Sequence, residues 1–255
     1  MSKLPKDHQF LDLSDYGRPV ARVIARSLTD TACTPIHVTV GFIISGLIAI
    51  VSVIQGYYFA AAFFLILKSI LDAADGELAR LNNTPSYTGR YFDSISDIIL
   101  NLLILLSIWA VTDTGLFFTI LAFLGIQLQG TLYNYYYVIL RNKANGDTTS
   151  RIFEDTTPKA LEGEKQKNVS MLFWLYKKLY GVFDKAVYTL DYEASKSKKF
   201  PKWFMTALST FGLGFQLLLI SLMLVAGLKE IIIPFFIAYT IMVFIFIGIR
   251  RILFS

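Results

Sequence analysis

The sequence predicts an all-α, polytopic membrane protein with six transmembrane helices preceded by an N-terminal amphipathic surface helix. Apolar residues make up 55% of the 255 residues and charged residues only 17%, whereas charged residues are about 25% of an average soluble domain. The mean hydropathy is +0.54. The charge is also uneven, because residues 141–202 hold more than half of the Lys and Arg. Together these features exclude a disordered chain and are typical of multi-pass membrane proteins.

Six apolar segments are candidates for membrane spans, at residues 36–54, 57–79, 93–112, 115–140, 203–226 and 230–251. Each is long enough to cross about 30 Å of hydrocarbon at roughly 1.5 Å per residue. Short polar or glycine-containing turns lie between segments one and two, three and four, and five and six. These turns are Gln55–Gly56, Asp113–Gly115 and Gly227–Lys229. The sequence therefore predicts three helical hairpins.

The first 35 residues are expected to form a cytoplasmic arm with an amphipathic interfacial helix. Val20, Val23, Ile24 and Leu28 recur at helical spacing, and Arg18, Arg22 and Arg26 form a separate basic stripe. This pattern favours a helix that lies on the membrane surface. A solvated basic arm is the alternative that the pattern leaves open.

Basic residues set the predicted orientation. All but two of the 24 Lys and Arg residues, Lys68 and Lys229, lie on one side of the six segments. Because cytoplasmic loops are rich in Lys and Arg, both termini and the 141–202 loop are expected in the cytoplasm. Aromatic and basic residues from Met171 to about Leu190 predict a second interfacial helix in this loop.

The division of the chain follows from these segments. Residues 36–140 would hold the first four transmembrane helices, 141–202 the cytoplasmic loop and 203–255 the last two helices. The basic residues adjoin apolar segments, so membrane lipids are the expected partner and nucleic acid is not. The single Cys33 excludes an intramolecular disulfide.

Acidic residues at the end of the second span and the start of the third mark the candidate site. Asp72 and Asp75 share one helix face at i, i+3, and Asp93 and Asp97 share another at i, i+4. Four converging carboxylates in a membrane protein need a compensating cation, and oxygen ligands suit Mg²⁺, Mn²⁺ or Ca²⁺. The small residues Gly76, Ala79 and Gly89 leave room for a substrate close to the backbone. A metal with carboxylates indicates phosphate chemistry.

This stretch resembles the signature of the CDP-alcohol phosphotransferase (CDP-alcohol phosphatidyltransferase) family. The matching positions within 72–97 are Asp72, Asp75, Gly76, Ala79, Arg80, Gly89, Asp93 and Asp97. The resemblance implies an integral membrane enzyme of phospholipid synthesis. Such an enzyme transfers a phosphatidyl or phospho-alcohol group from a CDP-linked donor to a hydroxyl and releases CMP.

The resemblance also implies roles for individual residues. Asp72, Asp75 and Asp93 would hold two divalent cations, Mg²⁺ or Mn²⁺, and Asp97 would complete the metal site and act as the general base. Gly76, Ala79 and Gly89 would border the cytidine pocket, and Arg80 would stabilise the site or the phosphates. A second family element, Thr-Pro-Asn-x-x-Thr, appears as residues 34–39 with Ile36 in place of the Asn.

The substrates are not fixed by the motif. The family implies either CDP-diacylglycerol with a polar alcohol or a CDP-aminoalcohol with a lipid hydroxyl. Few basic residues lie in the last four spans, which favours a neutral or zwitterionic headgroup. A homodimer is left open.

A polytopic cation or metal transporter is the competing function, because acidic residues within spans also mark ion pathways. Two features weigh against it. The acidic residues cluster at one end of two helices, and beyond Glu230 at the edge of the last span no charged residue continues the path through the last two spans before Arg250.

Overall fold

The computed structural model describes residues 4–144, 156–197 and 200–254, and this part of the chain contains α-helices and 3₁₀ turns but no strand. Within these described ranges ten α-helices follow one another: α1 Arg18–Leu28, α2 Pro35–Ile54, α3 Tyr58–Leu81, α4 Tyr87–Trp109, α5 Leu116–Lys143, α6 Gln166–Leu190, α7 Lys202–Leu208, α8 Leu213–Val225, α9 Lys229–Tyr239 and α10 Ile241–Leu253. The all-α class is confirmed. Residues 145–155 of the predicted 141–202 loop lie outside the described residues.

Helices occupy all six predicted segments. Among the residues that the structure describes, four helical stretches have the length and composition of a membrane span: Pro35–Ile54, Tyr87–Trp109, Leu116–Lys143 and Lys229–Leu253. The pair α7 and α8 gives a fifth if the two count as one span, although they are bent by 56°. Helix α3 is as long, but Lys68, Asp72 and Asp75 interrupt its apolar stretch. The structure thus fits a multi-pass membrane protein.

Three tight turns join the helical hairpins where the sequence predicted them. Gly56 and Gly227 adopt positive φ angles of 77° and 73°, which side chains with a Cβ rarely adopt. Apolar side chains of α2, α3, α4, α5, α8 and α9 then form a common core in the middle of the bundle. Helix α2 packs against both α3 and α4, so the polar ends of these two helices face each other.

Helix α1 lies within the predicted N-terminal arm and packs against α3. Ala21 and Ala25 have no exposed surface and share a core with Ala74 and Leu78 of α3. Val23, by contrast, is 67% exposed. Since α1 contacts the end of α3 that carries the acidic motif, it forms one wall beside the candidate site.

The segment before α1 fills the break between α7 and α8. The backbone N–H of Leu13 donates to Ser209 Oγ at 2.9 Å, and Ser14 lies against Gly212 and Gly214. A methyl group on Gly214 would overlap the Ser14 carbonyl oxygen, so a side chain there would exclude the segment. The break therefore serves as a seat for the N-terminal segment.

A buried ion pair fastens the last helix to the loop after α6. Asp191 has no exposed surface, and both Nε and Nη2 of Arg250 donate to its carboxylate, the Nε at 2.8 Å. Tyr136 OH donates to the same carboxylate at 2.5 Å. Because every partner is paired, this network can stay buried and holds α5, α10 and the 141–202 loop together.

Candidate active site

Three carboxylates meet where the ends of α3 and α4 lie side by side. Asp72 and Asp75 lie one turn apart on α3, and Asp93 lies in the second turn of α4. One oxygen atom from each residue lies within 4.8 Å of the others. The five-residue connection 82–86 forces the two helices to be neighbours. The predicted convergence of Asp72, Asp75 and Asp93 is thus present in the structure.

Asp75 and Asp93 of this carboxylate group are largely shielded from solvent. Asp75 is 8% exposed and accepts a hydrogen bond from Thr39 Oγ1 at 2.6 Å. Asp93 Oδ1 is shielded from solvent and, within the part of the chain that is described, has no hydrogen-bond partner. A buried, unpaired carboxylate oxygen is costly. Oxygen ligands that point at one another in this way fit a divalent cation.

Thr39 is a site residue that the acidic motif alone did not reveal. It lies in the first turns of α2 and is 2% exposed. It is the last residue of the second family element, which was the available signal. In the same element His37 Nδ1 accepts from the Thr34 backbone N–H at 3.0 Å and so caps α2. Ile36 lies beside Gly89, with its Cγ1 4.0 Å from the position of a Cβ there.

Asp97 lies outside the group of three and is held by Lys68. The Lys68 ammonium is 2.5 Å from Asp97 Oδ1, and the Lys68 side chain is completely buried, with its Nζ 4.7 Å from the centre of the Phe42 ring. The carboxylate that pairs with Lys68 is that of Asp97. Asp97 is 13% exposed, so it remains accessible from the cleft.

The small residues of the motif lie next to the acidic ones. Gly76 follows Asp75 on α3, and a Cβ built on it would lie 3.5 Å from Arg80 Nη1. Ala79 and Arg80 occupy the next turn of α3. The Gly89 backbone N–H donates to Ser86 Oγ, the N-cap of α4, at 2.8 Å. The structure thus groups all four residues with the carboxylates at one end of the bundle.

Glu77 is a second residue that the sequence did not single out. It is 2% exposed and points away from the carboxylate group. Its Oε1 lies 3.2 Å from Arg18, 3.7 Å from Arg22 and 3.3 Å from Arg80. The Arg18 and Arg22 stripe of α1 was visible in the sequence, but nothing in the spacing linked it to α3. Glu77 therefore joins α1 to α3 and fixes the position of Arg80.

Comparison with known proteins identifies the family. The profile of CDP-alcohol phosphatidyltransferases matches residues 32–247, which is most of the chain. No curated protein matches the sequence significantly. The profile spans both the carboxylate group and the helices that surround it, and the family does not favour the transporter alternative. The chain belongs to the CDP-alcohol phosphatidyltransferase family and is a membrane transferase of substituted phosphate groups.

Proposed function

We propose that this transferase is a metal-dependent enzyme of phospholipid synthesis that uses a CDP-linked alcohol or lipid as donor and releases CMP. The observation that carries the proposal is the group Asp72, Asp75 and Asp93, whose oxygens lie within 4.8 Å of one another. The unpaired Asp93 Oδ1 supports a cation at this point. Members of the family use divalent metals, which agrees with an all-oxygen ligand set.

Asp72, Asp75 and Asp93 would hold two divalent cations, Mg²⁺ or Mn²⁺. When bound, such ions neutralise phosphate charge and orient the phosphoryl group for displacement. Thr39 fixes one oxygen of Asp75, so the ligand set is partly preorganised by α2. Gly76, Ala79 and Gly89 would let the cytidine approach the backbone, and Arg80, held by Glu77, would face the donor phosphates.

The transfer exchanges one phosphorus–oxygen bond for another. The acceptor hydroxyl oxygen bonds to the phosphorus that carries the transferred group, the anhydride bond to CMP breaks, and CMP leaves with the bridging oxygen. Asp97 takes the hydroxyl proton. Since Lys68 occupies Oδ1, Oδ2 is the oxygen proposed to receive it. Lys68 thereby acts as a positioning residue for the base.

We propose six membrane spans, in which α3 and the bent pair α7 and α8 each cross once. Both termini and the 141–202 loop would then lie in the cytoplasm with the active site. The Lys and Arg distribution supports this orientation. In a Cys33→Ser background, a cysteine placed at Asp113 should react with an impermeant reagent from outside, whereas one at Lys165 should not. Labelling of position 165 from outside would overturn the orientation.

The acceptor is proposed to be a neutral or zwitterionic alcohol. Of the basic residues of the last four spans, Arg250 is committed to Asp191 and is 1% exposed. It is thus not free to bind an anionic acceptor. CDP-diacylglycerol and CDP-aminoalcohols remain the two candidate donors.

The test of the proposal is CMP release from each donor by the purified protein, before and after chelation. We expect a chelator to abolish CMP release and Mg²⁺ or Mn²⁺ to restore it. Asp72→Asn, Asp75→Asn and Asp93→Asn should each be close to inactive, while Asp113→Asn, in the turn at the opposite end of the bundle, serves as the matched control. Full activity in excess chelator would refute metal dependence.

A further inference from the structure

Helix α6 packs across α4, the helix that carries Asp93 and Asp97. Val169 and Phe173 of α6 share a buried cluster with Tyr91 and Ile95 of α4. Farther along α6, the hydroxyl of Tyr180 donates to the Ser94 carbonyl oxygen at 3.0 Å. Phe173 contacts Tyr91 and Tyr180 contacts Ser94, so the contacts advance by about 10 Å along α6 but by about 5 Å along α4. The two helices therefore cross instead of running parallel.

The crossing lies at the polar end of α4, before the mainly apolar stretch that begins at Ile98. In a bilayer, the headgroup layer adjoins the hydrocarbon at such a change from polar to apolar residues. Farther along, Val187 of α6 joins the buried cluster that contains Tyr135 and Ile139 of α5. In a bilayer crossed by α4 and α5, α6 would thus pass across the ends of these two helices at the level of the membrane surface.

One stripe of α6 faces away from the bundle, and we call it the outer stripe. Its members follow helical spacing of three or four residues and are exposed: Lys167, Met171, Trp174, Lys178, Val182 and Lys185. The apolar members are 60–70% exposed. The stripe contains three lysines and no acidic residue. It therefore combines apolar surface with positive charge on the face that the protein itself leaves uncovered among the described residues.

We propose that the outer stripe docks on anionic lipid headgroups of the bilayer that holds the protein. A helix with lysines beside Trp and aliphatic side chains places its apolar groups at the acyl boundary and its ammonium groups among the phosphates. Charge complementarity selects anionic headgroups, because each lysine near an anionic surface contributes roughly fivefold to binding. The position of α6 at the level of the membrane surface makes this layer the available partner.

The face of α6 opposite the outer stripe contacts α4, the helix that carries two of the active-site carboxylates. Tyr180 holds the backbone at Ser94, which lies between Asp93 and Asp97. Before α6 begins, Glu164 Oε1 accepts from the Thr88 backbone N–H at 2.7 Å and from Ser86 Oγ at 2.8 Å. The docked helix thus fixes the first turns of α4 relative to the bilayer, and with them the carboxylates that would face the donor.

The test uses Trp174 as a reporter in the full-length protein. With Trp109 and Trp203 replaced by Phe, Trp174 is the remaining tryptophan. The protein is reconstituted in vesicles of brominated phosphatidylcholine, with or without phosphatidylglycerol. We expect brominated lipid to quench Trp174, acrylamide in water to quench it poorly, and phosphatidylglycerol to increase the lipid quenching.

Charge reversal then tests the lysines. Lys178→Glu with Lys185→Glu should lower the lipid-quenched population by at least roughly tenfold in the anionic vesicles. Lys159→Glu with Lys165→Glu changes the same charge on exposed residues outside the stripe and should leave the quenching unchanged. Quenching by acrylamide alone would overturn docking, as would protection from both quenchers, which would indicate cover by another protein surface. If lipid quenching stays the same after charge reversal and with or without phosphatidylglycerol, the selection of anionic headgroups is overturned. None of these readouts depends on catalysis.

Discussion

The ammonium group of Lys68 lies 2.5 Å from Oδ1 of Asp97, and it joins the two helices that carry the motif. Lys68 lies one turn before Asp72 on α3, whereas Asp97 lies one turn after Asp93 on α4. The pair therefore closes the inner end of the carboxylate group. It also separates Asp97 from the three residues that would bind metal.

Replacing Asp97 tests the assignment of the base. Asp97→Asn keeps the size of the side chain but cannot take the acceptor proton, so we expect turnover to fall by about 10²–10⁴-fold. Metal and donor binding, measured by calorimetry, should change much less than in Asp75→Asn. If Asp97→Asn loses both binding activities while Asp75→Asn keeps them, the two roles are interchanged.

Replacing Lys68 tests the ion pair. Lys68→Met keeps most of the volume but leaves Asp97 without its partner, and breaking a buried pair costs about 3–5 kcal/mol. We expect a lower melting temperature in detergent together with a lower kcat. The double variant Lys68→Met with Asp97→Asn should recover stability but not turnover.

The control for that experiment is Lys229→Met, at the opposite end of the bundle. Lys229 is 32% exposed and lies 3.8 Å from the exposed Glu230. Lys229 also donates to the Val111 carbonyl oxygen at 2.6 Å. A hydrogen bond from a charged group contributes about 1.5–3 kcal/mol, which is less than the cost of breaking a buried ion pair. Equal losses of stability in the two lysine variants would contradict a special role for Lys68.

Crowding of the donor pocket is tested at Gly76. A Cβ there would lie 3.5 Å from Arg80 Nη1, an ordinary contact, so Gly76→Ala should fold normally. Gly76→Leu must displace the Arg80 guanidinium, and we expect it to abolish CDP-donor binding in a protein that still elutes as a folded species. Gly248→Leu is the matched control, because no atom lies within 4 Å of a Cβ at that position. Donor binding that survives Gly76→Leu would place the pocket elsewhere.

The cap of α4 by Glu164 predicts a dependence of stability on pH. Partial burial opposes ionisation, but hydrogen bonds from the Thr88 backbone and from Ser86 outweigh it and lower the pKa of Glu164 below its ordinary value of 4.5. A carboxyl with a lowered pKa stabilises the fold fully above the unfolded value and loses that contribution as pH falls through the folded value. Glu164→Gln should therefore be less stable at neutral pH, by about 1–2 kcal/mol.

Thermal unfolding across a pH series measures this effect. The difference between the wild type and Glu164→Gln should shrink as the pH falls below 4.5. Glu162→Gln, an exposed neighbour, should match the wild type throughout. A constant difference between the wild type and Glu164→Gln at every pH would show that the charge is not what stabilises the helix.

The parts of the site that the sequence predicted are those that depend on local geometry. Helical periodicity places Asp72 and Asp75 on one face, and a short connection makes α3 and α4 neighbours, so their convergence with Asp93 follows. The partner of Asp97 does not follow in the same way. It depends on the rotation and relative depth of two helices, which spacing along a single helix does not determine.

Contacts between distant segments were also beyond the sequence. Glu77 meets Arg18 across 59 residues, and Glu164 meets Ser86 across 78. The sequence analysis did not predict the 56° bend in the fifth span either. Hydropathy records how apolar a segment is but not where its axis turns.

The seat of Leu13–Asp15 between α7 and α8 has a consequence for how the protein is made. Leu13 leaves the ribosome long before Ser209, its hydrogen-bond partner 196 residues later in the chain. Domains fold as their sequence emerges, so this segment must wait, unplaced, while every helix up to α8 is synthesised and inserted. The first residues of the chain are consequently among the last to reach their final position, and they complete the bundle at the end where the carboxylates lie.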